Sequence, residues 1–375
     1  MKHSPPTIPH ALRPAVKVRV GIPLAGGRLV EAARSRSYAT LFSANAFSRV
    51  YSRGHERAGH FQSFRLPDHT QFAGLDATLD SAGFVAAVRY GDYRWAVEDY
   101  FDLVESHPWA WYAAMDYCCE PEIAGNRPLR LLRMAATAQM LGRCNAEAAR
   151  RGLPPPMPVL QGWNPADYAT CAEWLPLLDW PDLVGIGSVC RRQVAGPDGI
   201  LAILGAVDVV LPAHVRVHLF GVKSAVLDRI AHHPRVASID SMAWDFHARA
   251  ERRTGRDMDY RIGHMQAWAN AQREIAARPR TLSRIKIPLS EATSFGNVHD
   301  SEGLVLEALA LVYANLIMSG ELDYLDAVAH VKRDGATAVA MTSQNGLCEE
   351  TLQDFDDLLA GLGARVQQLR RERGH

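Results

Sequence analysis

Along this chain, short runs of β-branched and aliphatic residues alternate with longer runs in which apolar residues recur at helical spacing. The strand-like runs lie at 16–23, 38–44, 77–81, 111–117, 157–162, 183–188, 215–220 and 236–241, eight in all. Between them, 127–151 repeats Leu129, Leu132, Met134, Ala138 and Leu141 on one helical stripe, and 166–178 and 224–232 behave likewise. Strands that alternate with helices predict βαβ units and a parallel sheet. Eight of them predict closure into a TIM-type (β/α)₈ barrel, although an open doubly wound sheet would give a similar alternation. After Ser241 the pattern turns helical, at 248–278, 301–319, 322–333 and 349–373, with no further strand. The expected organisation is a loose, proline-containing arm over 1–14, a catalytic barrel over 15–249 and a helical appendage over 250–375 packed on it. Neither an internal repeat nor a low-complexity tract is present.

Composition narrows the function classes. The 375 residues are 48% hydrophobic, enough for a sizeable core. Lys plus Arg and Asp plus Glu both number 41, so the net charge is zero. That argues against coating nucleic acid by bulk charge and leaves room for a local basic patch. Lysine occurs only at positions 2, 17, 223, 286 and 332, so arginine carries most of the positive charge. Its planar fork suits phosphate, but a GC-rich genome would produce the same bias. The six cysteines form no CxxC cluster, and the chain opens without a secretory apolar segment. Reduced cysteines in a cytoplasmic protein are the expectation. No stretch reaches the ~20 apolar residues of a membrane span, so no membrane partner is expected.

Candidate chemistry gathers where the strands stop, which on a barrel is the catalytic face. In order these sites read DSAGF at 80–84, MD at 115–116, VLQGW at 159–163, GIGSVCRR at 185–192, HLFGVK at 218–223 and SIDSMAW at 238–244. Each has a plain alternative. An Asp after a strand is often a helix N-cap, a Gly there is often turn chemistry, and Gln161 could satisfy loop backbone groups. Their joint occurrence, three acids and a glutamine at successive strand ends, points to one polar mouth.

As an ordered set these motifs resemble the tRNA-guanine transglycosylase superfamily, and most closely its branch that places 7-deazaguanines in DNA. The resemblance runs from Thr78 to Arg249. It implies that Asp240 is a nucleophile forming a covalent sugar–enzyme intermediate, and that Asp80 is its acid/base partner. It also implies that Asp116 and Gln161 read the purine's polar edges, that the Gly187–Ser188 backbone donates to O6, and that Phe84 and Phe220, with Gly221 beside the latter, enclose the ring. The chemistry is coherent. Two carboxylates divide a glycosidic exchange into nucleophile and acid/base, and a covalent intermediate holds the sugar while bases exchange. An Asp facing N1–H and an exocyclic amine selects guanine-like rings.

Departures from the family pattern sharpen the expectations. Ala82 and Ser188 stand where the tRNA enzymes carry glycine. Their CxCxxC zinc signature is absent from the C-terminal third, where only Cys348 remains. The pairs Cys118–Cys119 and His232–His233 lack ligand spacing. No metal and no cofactor are therefore expected. The expected partners are a 7-deazaguanine base and DNA ahead of tRNA, with accessory DNA-opening proteins compatible with the family. Exchange in tRNA, hydrolysis of a deazaguanine nucleoside and a non-catalytic binding barrel are the alternatives. For phosphate contacts the candidates are Arg191 and Arg192 beside the base site, and Arg249 and Arg253, four apart on one helical face with Arg252 bordering it. A solvated charged helix is the alternative for the latter group.

Overall fold

Lys17–Ile22 (β1) is buried at every position but its first, as a parallel strand covered on both faces should be. It is the third strand of a seven-stranded parallel sheet in the computed structural model, which describes residues 15–251, 257–278 and 301–345. The other strands of this sheet are Thr40–Ser43 (β2), Ala77–Asp80 (β5), Val159–Leu160 (β6), Leu183–Ile186 (β7), Arg216–Leu219 (β8) and Val236–Ser241 (β9). Their order is β5-β2-β1-β9-β8-β7-β6, and the sheet curls. Two short strands, Ser48–Val50 (β3) and Phe61–Phe64 (β4), pair antiparallel as a separate hairpin inserted after β2.

Seven of the eight expected strands are present. The eighth, 111–117, is instead an extended segment with two isolated parallel bridges, Leu79 to Tyr112 and Ala113 to Met157. Its hydrogen bonds nonetheless run to both edges of the sheet: Ala113 N–H donates to the Leu79 carbonyl at 2.9 Å and Ala114 N–H to the Met157 carbonyl at 3.0 Å. The chain here makes a single bridge toward each edge of the sheet and no continuous ladder.

Helices cover the outer face: Arg28–Ser35 (α1), His69–Phe72 (α2), Gly83–Val85 (α3), Val97–Glu105 (α4), Arg127–Arg151 (α5), Pro165–Trp174 (α6), Ile200–Val210 (α7), Ser224–Ile230 (α8) and Ala243–Ala250 (α9). The long α5 matches its expected span because both ends are punctuated. Asn126 Oδ1 caps the Leu129 N–H at 3.0 Å, and Gly152 closes the helix at φ 66°, where a side chain would be strained. Three more helices follow, Met258–Ala277 (α10), Ser301–Met318 (α11) and Tyr324–Asn345 (α12). Helix α10 lies against β1, α1 and α8, whereas α11 packs along α5 and α12. The expected helix at 349–373 lies outside the described residues, as does the arm at 1–14. No described helix is long and apolar enough to cross a membrane.

Candidate active site

The sheet delivers Asp80 as the last residue of β5 and Asp240 as the penultimate residue of β9, both at carboxyl ends of parallel strands. Their surroundings differ. Asp80 Oδ2 accepts the Ala82 N–H at 3.1 Å, so the strand-end turn uses it in part as a local cap. Burial, reinforced by the nearby charges of Asp116 and then Asp240, pushes its carboxyl up to about 8. A carboxyl in that position holds its proton at neutral pH. The turn after it is strained, since buried Ala82 sits at φ 72°, a left-handed conformation costing about 1 kcal/mol for a residue with a Cβ. Gly83 is dictated by space: a Cβ there would lie 2.5 Å from the Asp116 carbonyl.

Asp240 is held by two donors on a single oxygen. Oδ1 accepts the Gly221 N–H at 2.8 Å and faces His218 Nε2 at 3.2 Å, while Oδ2 has no hydrogen-bond partner among the described residues. His218 is completely buried, and its other nitrogen meets Ser238 Oγ at 2.8 Å. Desolvation lowers the imidazole's pKa against the opposing pull of Asp240. The neutral ring with its proton on Nε2 is the tautomer that donates to the carboxylate and accepts from Ser238. Gly221 takes φ 62°, and its Cβ would meet Cys190 Cβ at 2.9 Å, so glycine alone lets its N–H reach Asp240.

Asp116 and Gln161 form one network. Ser81 Oγ donates to Asp116 Oδ1 at 2.8 Å and the Gln161 amide donates to Oδ2. Ser188 Oγ donates to Gln161 Oε1 at 2.5 Å and accepts the Cys119 N–H at 2.6 Å. Tyr93 OH bridges to the Asp116 backbone, 3.0 Å from its N and 2.9 Å from its O. Burial pushes the Asp116 carboxyl up to about 6, with the bonds from Ser81 and Gln161 holding it back. Gln161 thus serves a side-chain network and not loop backbone. Gly187 is what admits it, because a Cβ at 187 would lie 2.1 Å from Gln161 Nε2.

The structure separates the remaining candidates. Gly187 N–H is already spent on the Leu160 carbonyl at 2.9 Å, so Ser188 N–H is the donor left of that backbone pair. Ser188 itself is left-handed at φ 55°. Phe84 stands at the rim, 41% exposed, under the Arg191 guanidinium at 5.4 Å. Phe220 turns inward, edge-on to His218 at 4.6 Å and to Trp111 at 6.3 Å.

The arginines expected to meet phosphate stand in different surroundings. Arg192 is 4% exposed and donates to the carbonyls of Ser188, Asp198 and Gly162 while lying 3.6 Å over the Trp163 ring. It braces the 188–198 loop. Arg191 is forked onto Glu122 at 2.8 and 2.7 Å, with Glu120 at 3.2 Å. Arg249 is exposed but ion-paired to Asp245 at 2.9 Å. Arg252 and Arg253 lie outside the described residues.

Sequence reasoning missed Tyr93, Ser81, Ser238 and the role of His218. Only His218 carried a signal, as an ionisable residue on a strand two positions before Phe220. Among the described residues no group of three or more His, Cys, Asp or Glu is placed to hold a metal, and Cys348 is not among them. No curated protein matches the chain. Residues 57–284, more than half of the chain and the whole of this network, match the family described as DpdA, deoxypurine in DNA protein A. The chain belongs to that family, the deazapurine-in-DNA branch that its ordered strand-end motifs resemble.

Proposed function

We propose that this chain is a transglycosylase that exchanges guanine in DNA for a 7-deazaguanine, such as 7-cyano-7-deazaguanine, through a covalent Asp240–sugar intermediate. One observation carries the reading: the two strand-end carboxyls differ in kind. Asp80 is pushed up to about 8 and holds a proton, whereas Asp240 has both its donors on Oδ1 and a free Oδ2. A proton donor beside an oriented nucleophile is what displacing a base from C1′ requires.

In this reading Asp240 Oδ2 attacks C1′ as the bond to the purine nitrogen breaks, and the Asp80 proton passes to the departing ring. The deazaguanine then gives its ring N–H proton to Asp80 and attacks C1′, releasing Asp240. His218 and Gly221 keep the carboxylate aimed throughout. Asp116, whose oxygens each retain a lone pair beyond the bonds from Ser81 and Gln161, would accept N1–H and the exocyclic amine. Ser188 N–H would donate to O6, and Phe84 would offer a face in place of lost base stacking. The family description, with deoxypurine and DNA in its name, supports DNA over tRNA. The extended 111–114 segment, bonded to both sheet edges, supports reading the sheet as a closed eight-stranded barrel.

The test is incorporation of labelled base into guanine-containing DNA, with denaturing gels for the adduct. Wild type should exchange the base and trap a covalent species; Asp240→Asn should do neither while melting normally. Exchange by Asp240→Asn at the wild-type rate would remove Asp240 from the mechanism. Nucleoside mass spectrometry of DNA and tRNA, with and without the gene, separates the two polymers.

A further inference from the structure

The hairpin β3–β4 carries an unbalanced charge. Residues 49–65 contain Arg49, Arg53, Arg57 and Arg65, with His55 and His60, against the single carboxylate of Glu56. All four arginines are exposed, as are Arg89 and Arg94 on the segment beside them. None of these six makes a salt bridge among the described residues. In that they differ from Arg191 and Arg249, which are already bound to carboxylates. Unpaired guanidinium groups held close together repel one another and are stabilised by an incoming polyanion.

The hairpin also stands beside the site. It leaves the sheet after the carboxyl end of β2, next to β5, whose carboxyl end bears Asp80. Phe61 and Phe64 of β4 pack on Trp95 at 5.7 and 5.2 Å, Trp95 packs on Tyr93 at 5.7 Å, and Tyr93 holds the backbone of Asp116. A depression of about 500 Å³ between them is lined by Ala58, Gly59, His60, Phe61, Tyr93 and Arg94. Arg94 fastens the hairpin tip by donating to the Gly59 carbonyl at 2.8 Å. Stacked rings accompany the charges: His55 lies on Tyr51 at 4.3 Å, Arg57 over Tyr51 at 5.1 Å and Arg94 over Tyr90 at 3.6 Å. Arginine and aromatic planes interleaved along one surface are the chemistry that tracks a single strand, with cations on phosphates and rings under bases.

We propose that the β3–β4 hairpin and the 89–94 turn bind the DNA strand that carries the exchanged base, with phosphates along Arg53, Arg57 and Arg94 and flanking bases against the Tyr51 and Tyr90 stacks. This rests on the DNA-exchange reading and relocates the polymer surface away from Arg192 and α9. Each phosphate contact releases a counterion, steepening the salt dependence of binding to single strands by about 0.7.

The experiment measures binding of a guanine-containing single-stranded oligodeoxynucleotide, and of tRNA, against salt. It uses wild type, Arg53→Ala/Arg57→Ala/Arg94→Ala, the same three changed to Lys, and Arg249→Ala, with melting curves for each. The triple alanine variant should lose roughly 2 from the slope of log K against log salt, the lysine variant should keep it, and Arg249→Ala should leave it unchanged. An unchanged slope in the triple alanine variant overturns the proposal. So does a loss carried by Arg249→Ala instead, or a loss seen with tRNA and not with DNA. Failure of wild type to exchange bases would sink the exchange reading separately, since the slope is read without turnover.

Discussion

Replacing Asp80 with Asn should make the protein more stable as the solution becomes more alkaline, because it removes a carboxyl that the fold keeps protonated. In the unfolded chain the group ionises near its ordinary value of 3.8, while in the folded protein burial, Asp116 and Asp240 push it up to about 8. Between those values the folded state holds one proton more than the unfolded state. Its contribution is therefore fully present below pH 3.8 and is lost as pH rises toward 8. Each pH unit in that window costs about 1.4 kcal/mol per proton, so pH 5 to pH 8 gives a ceiling of about 4 kcal/mol. Asp80 is only half-buried by accessible surface, so solvent screening argues for about half of that, roughly 2 kcal/mol. The assay is urea unfolding of wild type and Asp80→Asn at pH 5 and pH 8. The stability gap between them should widen by about 2 kcal/mol toward pH 8 in favour of the variant, and the variant should not exchange bases. Wild-type exchange should itself decline above pH 8 as Asp80 loses its proton. A gap of equal size at both pH values would refute the protonated Asp80 and with it the assignment of the proton donor.

Arg192→Ala should destabilise the protein by about 3 kcal/mol in urea unfolding, since it orphans three loop carbonyls and strips the Trp163 face. A loss under about 0.5 kcal/mol, the size of an ordinary surface change, would contradict its role as a brace. Purified protein should contain well under one zinc per chain, and chelators should leave its melting temperature unchanged. Stoichiometric, tightly held zinc that supports folding would refute this expectation.

Much of the architecture was legible in the amino-acid pattern. The β9 strand and helix α5 match their expected spans to the residue, because each is bounded by its own turn and cap residues. Asp80, Gln161 and Asp240 could be singled out because parallel strands carry them to one end of the sheet, and Asp116 because an extended run precedes it, with the ends of such runs visible as changes of period. The 111–117 run looked like its neighbours, yet it makes only bridges. Register depends on the two flanking strands, and these are not encoded locally. The same limit governs the side chains. Arg191 and Arg192 are adjacent and alike in sequence, but one forks onto Glu122 at the surface and the other is buried under the 188 loop. Tyr93 and Ser81 acquire their roles only by meeting Asp116, and His218 by meeting Ser238 and Asp240. Periodicity is a property of neighbours along the chain, so sequence alone determined the seven strands of the main sheet and the acids Asp80 and Asp240 at the carboxyl ends of two of them. Ionisation and hydrogen bonding belong to neighbours in space, so only the tertiary structure decided which acid keeps its proton, which holds a free oxygen and which arginines are paired with carboxylates.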